Sequence, residues 1–215
     1  MNQRKIYYII ILSALFSIAA ITLGYAALSN SVTIKGTAAV NTDFGVVLST
    51  TATSNGTGTV TGTPSPSSGG PTAANATLAA TTISGLKGTF TASGTAQSVK
   101  YSFYSRNTHG VIAYLNSVNI GAITCSAASS GGASSTYVTA ACSGITVTVK
   151  VGSATYSRTT ATNGSSTTIS SHSLAVGGNE AVEVTIALAA GDQYRPDGAV
   201  NVTIGDTTLV YGPID

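Results

Sequence analysis

Alternation of apolar and polar side chains dominates this chain. Val32, Ile34, Gly36, Ala38 and Val40 share one parity, while Ser31, Thr33, Lys35 and Thr37 hold the other. A period of two gives a strand with one buried face. The pattern recurs at Val99, Tyr101, Phe103 and Ser105, at Ile145, Val147, Val149 and Val151, and at Val182, Val184, Ile186 and Leu188. Residues 44–48, 76–83, 87–92, 111–120, 154–158, 200–204 and 207–211 complete the expected strands. Turn residues between them predict pairing of sequence neighbours. The strand at 99–105 is expected to return through Asn107–Gly110, that at 145–151 through Gly152-Ser153, and that at 200–204 through Gly205-Asp206. No segment beyond residue 26 shows a sustained helical period.

Composition agrees with that pattern. Thr, Ser, Ala, Gly and Val replace the good helix formers, and the β-branched share is high. About ten strands separated by turns predict an all-β fold. Its form is a two-sheet antiparallel sandwich of jelly-roll or Greek-key type, preceded by a hydrophobic signal helix. Residues 54–75 are poor in apolar side chains, and the Ser/Pro/Gly stretch at 63–71 reads as a flexible surface loop.

The first residues have a different logic. Asn2-Gln3-Arg4-Lys5 is a basic head, Ile6–Leu23 is uncharged and apolar, and Gly24-Tyr25-Ala26 has small residues at the cleavage positions. This is the order of a secretory signal peptide over 1–26, cut between Ala26 and Ala27. The apolar run is about eighteen residues, at the lower limit for a spanning helix, so an uncleaved anchor is the alternative. Either reading exports the rest: a strand segment at 27–40 and a single sandwich domain at 41–215.

Export changes the charge balance. The chain has nine basic and seven acidic residues, and loss of Arg4 and Lys5 leaves seven of each sign. Without a cluster of Lys and Arg, nucleic acid is excluded as a partner. Cys125 and Cys142 form an even pair in an exported chain, which favours a disulfide over a metal site. That bridge is expected to pin a hairpin or long loop.

Little else offers chemistry. His109 and His172 stand outside any paired-ligand spacing and read as solvated loop histidines. Gly-x-Ser-x-Gly is absent, and Glu180 and Glu183 have opposite parity on one strand, which rules out an acid/base pair there. Asp192 and Asp197 lie in an oxygen-rich turn of the kind that can bind Ca²⁺, yet such residues are more often turn formers. No catalytic residue, metal ligand or cofactor is therefore expected. Asn55, Asn75, Asn163 and Asn201 begin Asn-x-Ser/Thr sequons and are candidate glycosylation sites.

Three segments carry a family resemblance. Leu23-Gly24-Tyr25-Ala26-Ala27-Leu28-Ser29 with the strand after it resembles the signal region of proteins processed by a SipW-type signal peptidase. Gln97–Thr108 resembles the central strand and Asn-containing turn of TasA/camelysin-like domains, and Gly205–Tyr211 resembles their closing hairpin. The Cys125/Cys142 pair and the 63–71 stretch depart from that pattern. The resemblance implies a jelly-roll subunit of an extracellular filament, in a biofilm matrix or pilus-like fibre, polymerising head to tail. One subunit would donate its N-terminal strand to the next, with Val32, Ile34, Gly36, Ala38 and Val40 at the interface. The expected partners are copies of the same chain, other fibre or cell-surface proteins, and signal peptidase during export. The competing expectation is a monomeric or anchored surface module that binds carbohydrate through loop tyrosines, namely Tyr137, Tyr156 and Tyr194. Protease activity, attributed to some camelysin-like proteins, has no support in these residues.

Overall fold

A computed structural model describes residues 45–53, 57–162 and 167–213, with 167–171 as backbone alone. The leader, the Ala26-Ala27 junction, the segment from Val32 to Val40, and the sequons at Asn55 and Asn163 lie outside these residues. By contacts the chain divides into residues 1–40 and 41–215, and every described residue belongs to the second unit.

Sixteen strands are described. In chain order they are β1 (Val46–Ser49), β2 (Thr59–Thr61), β3 (Thr63–Ser65), β4 (Thr72–Ala73), β5 (Asn75–Ala79) and β6 (Thr82–Ser84). Next come β7 (Lys87–Phe90), β8 (Gln97–Asn107), β9 (Ala113–Asn119), β10 (Ile123–Ala127), β11 (Ile145–Val151) and β12 (Ala154–Thr159). The last four are β13 (Thr167–Leu174), β14 (Asn179–Leu188), β15 (Val200–Ile204) and β16 (Thr207–Gly212). Among the described residues one α-helix, α1 (Ser135–Ser143), stands between β10 and β11.

The strands make three antiparallel sheets in a sandwich-like arrangement. The first has the order β1-β8-β14-β11-β12, with β3 also on β8. The second runs β10-β15-β7-β4 and the third β13-β9-β16-β6-β5-β2. Alternation decides which side of each strand faces inward. Val99, Tyr101 and Phe103 of β8, Val147 and Val149 of β11, and Val184 and Ile186 of β14 are buried from the first sheet. They join Phe90, Val202 and Ile204 of the second sheet and Leu115, Leu209 and Ile83 of the third in one core cluster. The side chains are mostly small, so the layers meet closely. Tyr101 adds a polar tie: its hydroxyl lies 2.7 Å from the Lys87 carbonyl and 2.9 Å from that of Ala74, and accepts the Lys87 N–H at 3.2 Å.

Three expectations fail, each for a physical reason. Two presumed hairpins are crossings between sheets. Although β8 and β9 are consecutive, they belong to different sheets, as do β15 and β16. Around Gly205 the Ile204 N–H donates to the Leu86 carbonyl and the Gly205 N–H to that of Ala122, so the chain changes partners there. Of the three expected returns only β11–β12 is a true hairpin, closed at Gly152 with φ of 55°.

The second failure concerns the loop at 63–71 and the stretch around it. Thr63, Pro64 and Ser65 form β3 against Lys100, Val99 and Ser98, and Val60 of β2 is in the core. A proline is tolerated there because β3 is an edge strand. The third is α1, a helix in a chain that showed no helical period.

Candidate functional site

A strand-exchanging subunit needs an open sheet edge, and the outermost strands differ in how open they are. β4 and β2 have two and three residues. β10 is packed by α1 and joined to it through Cys125. β13 shifts register between Thr168 and His172, and bulges of this kind blunt an edge. On the far side of the first sheet, β1 and β3 cover only parts of β8. β12 is different: it pairs along six consecutive residues with β11, without a bulge, and is the last strand of the sheet among the described residues.

The side chains of β12 set terms for any added strand. Arg158 faces inward and is buried, and its Nε donates to the Thr162 carbonyl at 3.2 Å. An inward charge on an edge strand discourages indiscriminate pairing. Tyr156 is half-buried against the core, with its phenol pushed above the ordinary value first by burial and then by the Glu180 carboxylate.

The outward face of this sheet is a field of hydroxyls. Thr63, Lys100, Thr185, Thr148 and Ser157 lie in one cross-strand row, and Ser65, Ser98, Ala187, Thr146 and Thr159 in the next. Thr148 and Ser157 hydroxyls meet at 3.1 Å. Lys100 Nζ pairs with Glu183 Oε1 at 3.2 Å, and Lys150 adds an exposed positive charge to the same face.

The cysteines are at disulfide distance, with Cα atoms 5.9 Å apart. They join an edge strand to the C-terminal end of α1, and so anchor a helix rather than a hairpin or loop. His172 is corrected as well. It lies on β13, and its Nε2 is 2.7 Å from Glu180 Oε2, with both side chains about one-fifth exposed. His109 is exposed in the loop after β8, its backbone N–H donating to Asn107 Oδ1. Tyr211 is buried near Ser105, and neither hydroxyl has a well-formed hydrogen bond. Burial, with smaller contributions from Glu180 and Tyr156, raises its phenol far above the usual range, and Ser105 only partly offsets this.

Of the two described sequons, Asn75 is exposed at the start of β5, with Thr77 on the same face. Asn201 is half-buried in β15, and its Oδ1 accepts the Thr89 hydroxyl at 2.7 Å. Asp192 opens a short 3-10 turn (Asp192–Tyr194), and Asp197 Oδ1 accepts the Ser134 N–H at 2.9 Å. Among the described residues, no group of three or more His, Cys, Asp or Glu is placed to hold a metal ion. The three candidate tyrosines are spread out: Tyr137 is exposed on α1, Tyr194 packs beside Gly144, and Tyr156 is on β12. Tyr137 lines a cleft with Ala92, Asp192, Arg195, Pro196 and Asp197. No family model, curated protein or solved structure matches the chain.

Proposed function

We propose that this protein is the structural subunit of an extracellular filament, assembled head to tail by donation of residues 31–40 to the sandwich of a neighbouring copy. The observation that carries the reading is the division of the chain between Val40 and Asn41. The alternating sequence pattern ends where the sandwich unit begins, and the described residues of that unit share one continuous core. The likeness of residues 23–29 and 97–108 to TasA/camelysin-like fibre proteins points the same way.

β12 is the acceptor edge in this reading. Residues 35–40 pair with the six residues of β12, forming main-chain hydrogen bonds along the facing sides of the two strands. The apolar parity turns inward, and Ser31, Thr33, Lys35 and Thr37 extend the hydroxyl face outward. A register with Gly36 beside Arg158 and Ala38 beside Tyr156 matches the smallest donor positions to the largest side chains of the edge. Because donor and acceptor are different surfaces, the contact does not close on itself, and it propagates.

The test is electron microscopy of residues 27–215 beside residues 41–215. Filaments from the longer chain and folded, non-assembling protein from the shorter are expected. Dispersed monomers from both at high concentration refute the reading.

A further inference from the structure

The helix α1 is poorly explained by its own sequence. Nine residues are fewer than an isolated helix needs in water. Thr136, Val138 and Thr139 are β-branched, and Ala141 is its only buried residue. Burial therefore contributes little, and the helix is held from outside. Cys142 is joined to Cys125 on β10. Asp197 takes the Ser134 N–H at the other end. The Tyr194 ring lies so close to Gly144 that a Cβ there would sit 2.6 Å from it. The Gly144 carbonyl accepts the Ala189 N–H at 3.1 Å.

What these tethers fix in place is Tyr137. Its side chain stands on the first turn of α1, 46% exposed, on the wall of a cleft of about 470 Å³. Asp192, Arg195 and Asp197 contribute the polar lining. Gly94 packs beside two of them: a Cβ there would lie 3.6 Å from Asp192 Oδ1 and 3.8 Å from Arg195 Cδ. The Gly94 carbonyl also accepts the Gly191 N–H at 3.2 Å, which ties it to the loop carrying Asp192.

Of the charges in this cleft, Asp197 is used by the fold, one carboxylate oxygen accepting the Ser134 N–H. Among the described residues the ion pairs are Lys100–Glu183 and His172–Glu180, and neither involves Asp192, Arg195 or Asp197. In a chain with only seven acidic residues, two carboxylates and a guanidinium meet beside an exposed aromatic ring. Two carboxylates repel an anion, and the guanidinium repels a cation. A neutral ligand with an apolar face and adjacent hydroxyls meets neither penalty. Its C–H face stacks on the ring, while carboxylate and guanidinium take its hydroxyls in paired, charge-assisted hydrogen bonds.

We propose that this cleft is a binding site for a neutral saccharide, with Tyr137 as the stacking platform and Asp192 and Arg195 as the hydroxyl-reading groups. α1 and its disulfide pre-organise the site, which lowers the ordering cost of binding. The proposal does not depend on filament assembly: none of the residues lining the cleft is on β12.

The test is calorimetric titration of residues 27–215 with cellotetraose, chitotetraose and mannotetraose at millimolar concentration. Binding of at least one is expected. Tyr137→Ala weakens it about tenfold, the value of one aromatic stacking contact. Tyr137→Phe retains the affinity, while Asp192→Asn and Arg195→Lys weaken it. Tyr114→Phe, on β9 and outside the cleft, leaves it unchanged. Since Tyr137 is exposed, its substitution leaves the fold intact, and a circular dichroism spectrum checks this. The proposal is overturned if none of the three sugars binds, or if binding survives Tyr137→Ala undiminished.

Discussion

Tyr101→Phe removes one oxygen from the centre of the sandwich and tests how the sheets are tied. In the wild-type protein the hydroxyl approaches the carbonyls of Ala74 and Lys87 and accepts the Lys87 N–H. Losing it does not strand all three groups equally. The Lys87 carbonyl still accepts the Ala74 N–H at 3.1 Å. Ala74 and Lys87 carry exposed side chains, so water can reach part of what is left. The full penalty for buried unsatisfied groups therefore does not apply, and about 1.5 kcal/mol of destabilisation follows. For a domain of this size that is roughly 3–6 °C in Tm. Tyr101→Leu also removes ring packing against Gly62 and should cost about 2 kcal/mol more. Urea unfolding of both variants, followed by circular dichroism, supplies the numbers. A Phe variant as stable as wild type would refute the tie. In that case the ring rather than the hydroxyl would be what matters.

Two further outcomes follow from the same structure. Replacing Cys125 and Cys142 by Ser opens a closure of sequence separation 17, worth about 3 kcal/mol in the chain-entropy model. Melting should fall by roughly 6–12 °C with a loss of helical ellipticity, and a change of a degree or two would contradict the anchoring role of the bridge. Stability should also depend on alkaline pH. Tyr101 and Tyr211 have folded-state values raised above 10.0 by burial, so above pH 10 the unfolded chain loses protons that the folded chain keeps. Stability is then level below pH 10 and declines above it. Tyr211→Phe should make the decline shallower, and an unchanged slope in chemical unfolding would dismiss burial of this phenol as its cause.

The strands were legible because alternation is a local signal. Val99, Tyr101 and Phe103, or Val182, Val184 and Ile186, display their buried side in the sequence itself. Partnership was not legible. Alternation says which side of β8 faces inward, but β8 and β9 leave Asn107–Gly110 in different sheets, and nothing local separates that from a hairpin. Gly152 shows the contrast, since a two-residue turn with positive φ did mark a true return. β2 and β3 were hidden by Thr, Gly and Pro, which suit a short edge as well as a loop, and only Val60 hinted at burial. α1 was illegible in principle, because its support comes from Cys125, Asp197 and Tyr194 rather than from a period of its own. The same applies to the cleft. Asp192, Arg195 and Asp197 were visible as a turn, but Tyr137 joins them only through the fold.

Strand donation between copies is tested most directly by adding a synthetic peptide of residues 31–40 to isotopically labelled 41–215 and following backbone amide resonances. The account predicts saturable binding at one peptide per domain. The perturbed and newly exchange-protected amides should cluster on Ala154–Thr159, and a peptide of the same composition with its apolar parity broken should not bind. No saturable binding, or perturbations confined to another edge, would contradict donation to β12.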